Sequence, residues 1–62
     1  MNLKRLREAK DMTQMELASA VGVVQSAVGN WESGTRKPTA DKLPKLAAIL
    51  GCTIDDLFKK EA

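Results

Sequence analysis

Apolar residues recur along this chain at three- and four-residue spacings, and the register resets at short polar breaks. That is the signature of several short amphipathic helices. Leu3 and Leu6 face inward in the first, predicted over Leu3 to Lys10 with its basic residues outward, and Asp11 and Met12 link it to the next. Thr13 and Glu16 form a T-x-x-E capping box, which starts a second helix at Gln14. Leu17, Ala18 and Val21 give that helix one apolar stripe, and the small Ala18 lets another helix cross closely. Gly22 ends it, because a left-handed residue costs glycine almost nothing and most other residues about 1 kcal/mol or more. Val23 is expected as a buried plug. A third helix then runs from about Val24 to Ser33, with Val28 and Trp31 inward and Ala27 beside them.

The run Ser33-Gly34-Thr35-Arg36-Lys37-Pro38 is a loop by its composition. A fourth helix is predicted over about Asp41 to Leu50, burying Leu43, Leu46, Ala47 and Leu50 and stopping at Gly51. Pro44 would disrupt a helix interior. With Asp41 as the N-cap it falls at N3, where no amide hydrogen is needed; with Thr39, the competing cap, it lies deeper. Thr53 and Asp56 suggest a last short helix with Ile54, Leu57 and Phe58 inward, followed by a frayed tail from Lys59 to Ala62. No alternating strand pattern, linker, repeat or low-complexity stretch is visible. The expectation is an all-α fold, one domain over residues 1–62 with an ordered core of about 2–58.

Within this frame, Gln14, Ala18, Gly22, Val28 and Trp31 fall at the positions a helix-turn-helix requires. They supply in turn a polar first turn, a small crossing residue, a turn glycine and two core residues. Such a unit places its second helix in the major groove of DNA. The outer face of that helix carries Gln25, Ser26, Gly29, Asn30 and Ser33, none of them charged. An ordinary solvated face would carry Lys and Glu. Short side chains that donate and accept hydrogen bonds are the kind that read base edges. The competing reading is a plain solvent face with an accidental glycine. Gly29 sits mid-helix at a cost of about 1 kcal/mol relative to alanine, which points to a close approach to the backbone there.

Composition narrows the function further. A chain of 62 residues holds one small core and buries only about 60% of its unfolded surface. Trp31 and Phe58 are its only aromatic rings, so the core is aliphatic and Trp31 reads as a core anchor rather than a stacking platform. The net charge of +2 proves nothing by itself, but its distribution is informative. Lys4, Arg5, Arg7 and Lys10 cluster near the N-terminus, and Arg36 and Lys37 lie in the loop after the presumed reading helix. Cations hold phosphates while neutral polar groups read bases; for Lys37 a simple solvated loop competes with that role. The solitary Cys52 and the absence of histidine argue against a disulfide, a metal site or an activated nucleophile. Asp55 and Asp56 diverge by about 100° on a helix and cannot share a substrate. No enzyme activity or cofactor is expected. With no signal peptide and no membrane-crossing apolar run, cytoplasmic location is the default.

The chain resembles the lambda-repressor-like family of helix-turn-helix proteins, the phage repressor and Cro group, from about Leu3 to Phe58. The motifs that carry the likeness are TQMELA, the Gly-Val after the first motif helix, WESGTRKP, L-x-x-L-A-x-x-L-G over Leu43 to Gly51, and the closing D-D-L-F. The resemblance implies five helices, with the second and third as the DNA-binding pair. It implies base reading by Gln25, Ser26 and Asn30, and contact with the DNA backbone, or close approach to it, at Thr13, Gln14, Gly29, Arg36 and Lys37. It also implies a structural ion pair between Arg7 and Glu32; without that pair, Arg7 would be one more phosphate contact. Two positions depart from the family pattern. Val24 stands where members usually have a Ser or Thr cap, and Gly29 replaces a side chain near the DNA. The function implied is a sequence-specific transcriptional regulator, a repressor that binds double-stranded DNA at a pseudo-palindromic operator as a homodimer. Its helices 4 and 5 are the expected region of association on DNA. The rival readings are an antitoxin or other regulatory module that grips a protein partner, and the DNA-binding fragment of a longer repressor. Met1 and the KKEA ending fit a small complete regulator or such a fragment.

Overall fold

The computed structural model describes residues 1–59. In it, α1 (Leu3–Ala9), α2 (Gln14–Val21), α3 (Gln25–Ser33), α4 (Leu43–Leu50) and α5 (Ile54–Phe58) follow one another, with a 3-10 turn at Ala40–Lys42 ahead of α4. The described residues contain no strand. Of the tail expected to fray, Lys60 to Ala62 lie outside the described residues, and Lys59 caps α5 with its Nζ 2.9 Å from Asp56 Oδ1.

Local chemistry sets most of the boundaries. Thr13 Oγ1 accepts from the Glu16 amide at 3.0 Å while Glu16 Oε1 accepts from the Thr13 amide at 2.9 Å, so both ends of the capping box are closed. The same reciprocal bonds join Thr53 and Asp56 at the start of α5. Gly22 adopts φ 87°, which turns the chain between α2 and α3 and lets its amide reach the Ala18 carbonyl at 2.8 Å. Asp11 takes φ 53° in the turn between α1 and α2, a conformation Asp tolerates better than most residues.

Leu3, Leu17, Val21, Val28, Leu46 and Leu57 are fully buried, and Ala18, Trp31, Ala47 and Leu50 complete the core. Every helix contributes to it. The most extensive packing is that of α2 on α3, while α4 lies against α2 and α5. The start of the chain is tied in by Asn2, whose amide donates to the Leu57 carbonyl at 2.8 Å.

Several expectations are corrected. Arg7 is not outward with the other basic residues of α1; it is buried, because it follows Leu3 by four residues and shares its face. Val23 is half-buried rather than a plug, and Leu6 and Leu43 are also only partly covered. Neither Asp41 nor Thr39 caps α4. The 3-10 turn occupies residues 40–42, Lys42 takes the cap position, and Pro44 therefore falls in the first turn at N2, where its missing amide loses no helical bond. Ile54 and Phe58 do not pack inward, being 39% and 49% exposed. A helix of only five residues presents one short stripe to the core, and Leu57 occupies it.

Candidate nucleic-acid interface

The outer face of α3 is built from its first residue onward. At about 100° per residue, Gln25, Ser26, Gly29, Asn30 and Ser33 fall within a single arc, opposite the buried Val28 and Trp31. Gln25, Ser26 and Ser33 are exposed, and Gly29 and Asn30 are half-buried at the edges of neighbouring elements. Val24, in the cap position of α3, is extended at φ −78° and ψ 154°, and its side chain supplies no capping bond.

The loop after α3 is folded back onto that helix. The Asn30 carbonyl accepts from the Arg36 amide and from Ser33 Oγ, both at 3.2 Å, and the Ser33 and Thr35 hydroxyls are 2.9 Å apart. Pro38 is buried and anchors the far end of the loop. Arg36 and Lys37 are thereby brought beside α3, across an open cleft whose helix side includes Val24, Ser26 and Asn30. Lys42 lines the same cleft and was not among the residues singled out from the sequence. Its only ion pair among the described residues is a long 3.9 Å contact with the exposed Asp41, which holds it weakly. The signal that could have found it is a third cation shortly after Arg36 and Lys37 in the chain.

Between α1, α2 and α3 lies a nearly dry polar network. Arg7 Nε donates to Glu32 Oε2 at 2.6 Å, Arg7 Nη2 to Glu32 Oε1 at 3.1 Å, and Arg7 Nη1 to the Met12 carbonyl at 2.6 Å. The two side chains are only 10% and 5% exposed. Arg7 is thus engaged inside the domain rather than offered at its surface. Gln14 Nε2 donates to Glu32 Oε1 at 3.1 Å, which ties its carboxamide to α3 and leaves its second side-chain N–H and its backbone amide for an outside acceptor. Thr13 likewise uses its hydroxyl oxygen and its amide in the capping box. A methyl group added at Gly29 would lie 3.8 Å from Gln14 Oε1, an ordinary contact, so packing within the chain does not require glycine there.

Burial alone would raise the Glu32 pKa. Hydrogen bonds from Arg7 and Gln14, helped by the Arg7 charge, more than offset it and hold the carboxyl below its ordinary value of 4.5. A carboxyl with a depressed folded pKa contributes stability that is fully present above its unfolded pKa and is lost as pH falls through the folded one. Stability should therefore decline as pH drops below 4.5, in part through this group. Urea titrations between pH 6 and pH 3 check this, since Glu32→Gln, though less stable throughout, should show a shallower decline than the parent chain. Equal declines would remove Glu32 from the acid transition.

The described residues hold no cluster of three or more potential metal ligands. None of their helices is long and apolar enough to cross a membrane.

The family model HTH_3, helix-turn-helix, matches residues 3–57, which takes in α1 to α4 and all but the last residue of α5. The chain belongs to that family, the lambda-repressor-like and Cro group. HTH_3 is a family of transcription regulators rather than enzymes. Over 59 residues the chain is 36% identical to the HTH-type transcriptional activator BcrR of Enterococcus faecalis, covering 95% of this chain and 29% of that protein. It is also 36% identical over 53 residues to the HTH-type transcriptional regulator YobD of Bacillus subtilis, covering 86% and 47%. Identity to the cryptic phage CTXphi transcriptional repressor RstR of Vibrio cholerae is 33% over 55 residues, covering 89% and 50%. The HTH_3 domain seen here thus spans about half the length of YobD and RstR and less than a third of BcrR.

Proposed function

We propose that this chain is a sequence-specific DNA-binding transcriptional regulator that lays α3 in the major groove. The observation that carries the reading is the outer face of α3, polar yet uncharged, with Arg36, Lys37 and Lys42 gathered beside it. Neutral donors and acceptors at the centre and cations at the margin divide the work of reading bases from that of holding phosphates. Gln25, Ser26 and Asn30 read base edges, a Gln or Asn being suited to adenine N6 and N7. Thr13 and the backbone amide of Gln14 at the start of α2, together with Arg36 and Lys37, contact the DNA backbone. Gly29 leaves room for the duplex to approach α3, a role favoured by the absence of any internal need for glycine.

Two such domains bind a pseudo-palindromic operator, one per half-site. The exposed Ile54 and Phe58 lie four residues apart on one face of α5, and the exposed Met1 is kept nearby by the bond from Asn2 to Leu57. Paired about a two-fold axis, these apolar groups form a small self-complementary contact. Its size favours assembly on DNA over a tight free dimer. Repression follows most simply, since occupancy of an operator blocks transcription without a further surface.

One pair of variants tests the division of labour. Gln25→Ala should weaken binding to the preferred duplex by about 1–3 kcal/mol and relax the preference at one base pair. Arg36→Ala should weaken all duplexes alike and reduce the slope of log affinity against log salt by about one phosphate contact. Uniform loss from Gln25→Ala would make that residue a backbone contact, and an unchanged salt slope would remove Arg36 from the interface.

A further inference from the structure

Val24 is the most exposed large apolar residue among those described, at 70%, and it occupies the one position of α3 where a polar side chain would have an immediate structural use. A hydroxyl or carboxylate there would accept from an orphan amide of the first turn, and its absence forgoes a capping interaction. A single exposed hydrophobe is ordinary on a protein surface and by itself says nothing. The surroundings of this one are not ordinary. Val24 precedes Gln25 directly and lines the cleft that Ser26 and Asn30 share with Arg36, Lys37 and Lys42. A surface with base-reading groups on one side and phosphate-holding cations on the other is matched to a duplex. Among base edges facing the major groove, the apolar contact group is the C5-methyl of thymine.

We infer that Val24 is a specificity residue, and that it takes the C5-methyl of a thymine in, or next to, the base pair read by Gln25. This inference rests on the reading of α3 as the recognition helix. The branched side chain on an extended backbone presents two methyl groups with little conformational freedom to lose, so the contact orders almost nothing on binding. The position therefore trades a cap that would stabilise the free domain for an apolar contact made only with DNA. The cost falls on folding and the gain on discrimination.

Deoxyuridine in place of thymine removes the methyl and leaves every hydrogen-bonding group intact. The preferred duplex, recovered from a random pool, is rebuilt with each thymine replaced in turn, and binding is measured by fluorescence anisotropy for the parent chain and for Val24→Ser. For the parent chain, one replacement per half-site near the Gln25 pair should weaken binding about three- to fivefold, the factor expected for one buried methyl group. Val24→Ser should bind the thymine and uracil forms equally at that position, and should melt at a higher temperature because serine restores the cap. Insensitivity of the parent chain to every replacement would overturn the inference, as would an equal loss in Val24→Ser, which would assign the methyl to another residue. In those outcomes sequence preference itself survives, so the contact fails alone. A folded chain that prefers no duplex would overturn both the contact and the recognition role of α3.

Discussion

Arg7→Ala should remove about 3–5 kcal/mol of folding stability, the loss that follows when one member of a buried ion pair is deleted. A domain of 62 residues holds roughly 3–9 kcal/mol in all, so this single change should leave it near its unfolding threshold. The size of the effect comes from what stays behind. Without the guanidinium, the Glu32 carboxylate keeps only the Gln14 amide as a partner, at 5% side-chain exposure, and the Met12 carbonyl loses its donor from Arg7. The pair itself is worth much less than its disruption. Arg7→Met combined with Glu32→Leu should therefore recover most of the loss, because two apolar groups leave no unpaired charge. Urea unfolding followed by circular dichroism gives both numbers. A loss under about 1 kcal/mol for Arg7→Ala would mean that the pair behaves like a solvated surface bridge. The network also has a functional consequence. It joins α1, the start of α2 and the last turn of α3 through four side-chain hydrogen bonds, and so fixes how α3, with its proposed reading face, sits on the domain.

Trp31→Ala should cost a comparable 3–5 kcal/mol, through lost burial and the cavity left beneath α3. Trp31 is 7% exposed and belongs to the same core cluster as Val28, Leu17 and Leu46. Because it is the only tryptophan, unfolding of the variant must be followed by circular dichroism rather than by intrinsic fluorescence. The result separates two roles for an aromatic beside a basic loop. A core anchor loses stability, with binding failing only because the domain unfolds. A base-stacking platform would keep its stability and lose affinity, and that outcome would contradict the placement of Trp31 in the core.

The parts of this fold that were legible in the sequence are those set by short-range chemistry. Thr13 and Glu16, or Thr53 and Asp56, satisfy each other's backbone groups within three residues, and Gly22 turns the chain because of its own conformational freedom. The outer face of α3 was equally readable, since helical periodicity alone gathers Gln25, Ser26, Gly29, Asn30 and Ser33. Illegible features depend on what lies across the molecule. Arg7 and Glu32 are 25 residues apart, so no local spacing pairs them, and only the family resemblance brought them together. The bond from Gln14 to Glu32, which ties a half-buried side chain to α3, left no mark in the pattern. Ile54 and Phe58 follow a helical apolar rhythm but stay 39% and 49% exposed, because on so short a helix Leu57 takes the core-facing position. Pro44 was misplaced by one position because two plausible caps, Thr39 and Asp41, concealed a 3-10 turn that uses neither in that way.

Selection from a random duplex pool at about physiological salt tests the central claim most directly. It requires only the folded chain and sequencing of what it retains. Enrichment of an inverted repeat, its half-site centres about one helical turn or 10–10.5 base pairs apart, is the predicted result. It would establish sequence reading and two-fold assembly together, and supply the duplex on which Gln25, Arg36 and Val24 are tested. No enrichment from protein shown to be folded would contradict it, and would turn the exposed apolar groups of α5 and the cleft beside α3 toward a protein partner instead.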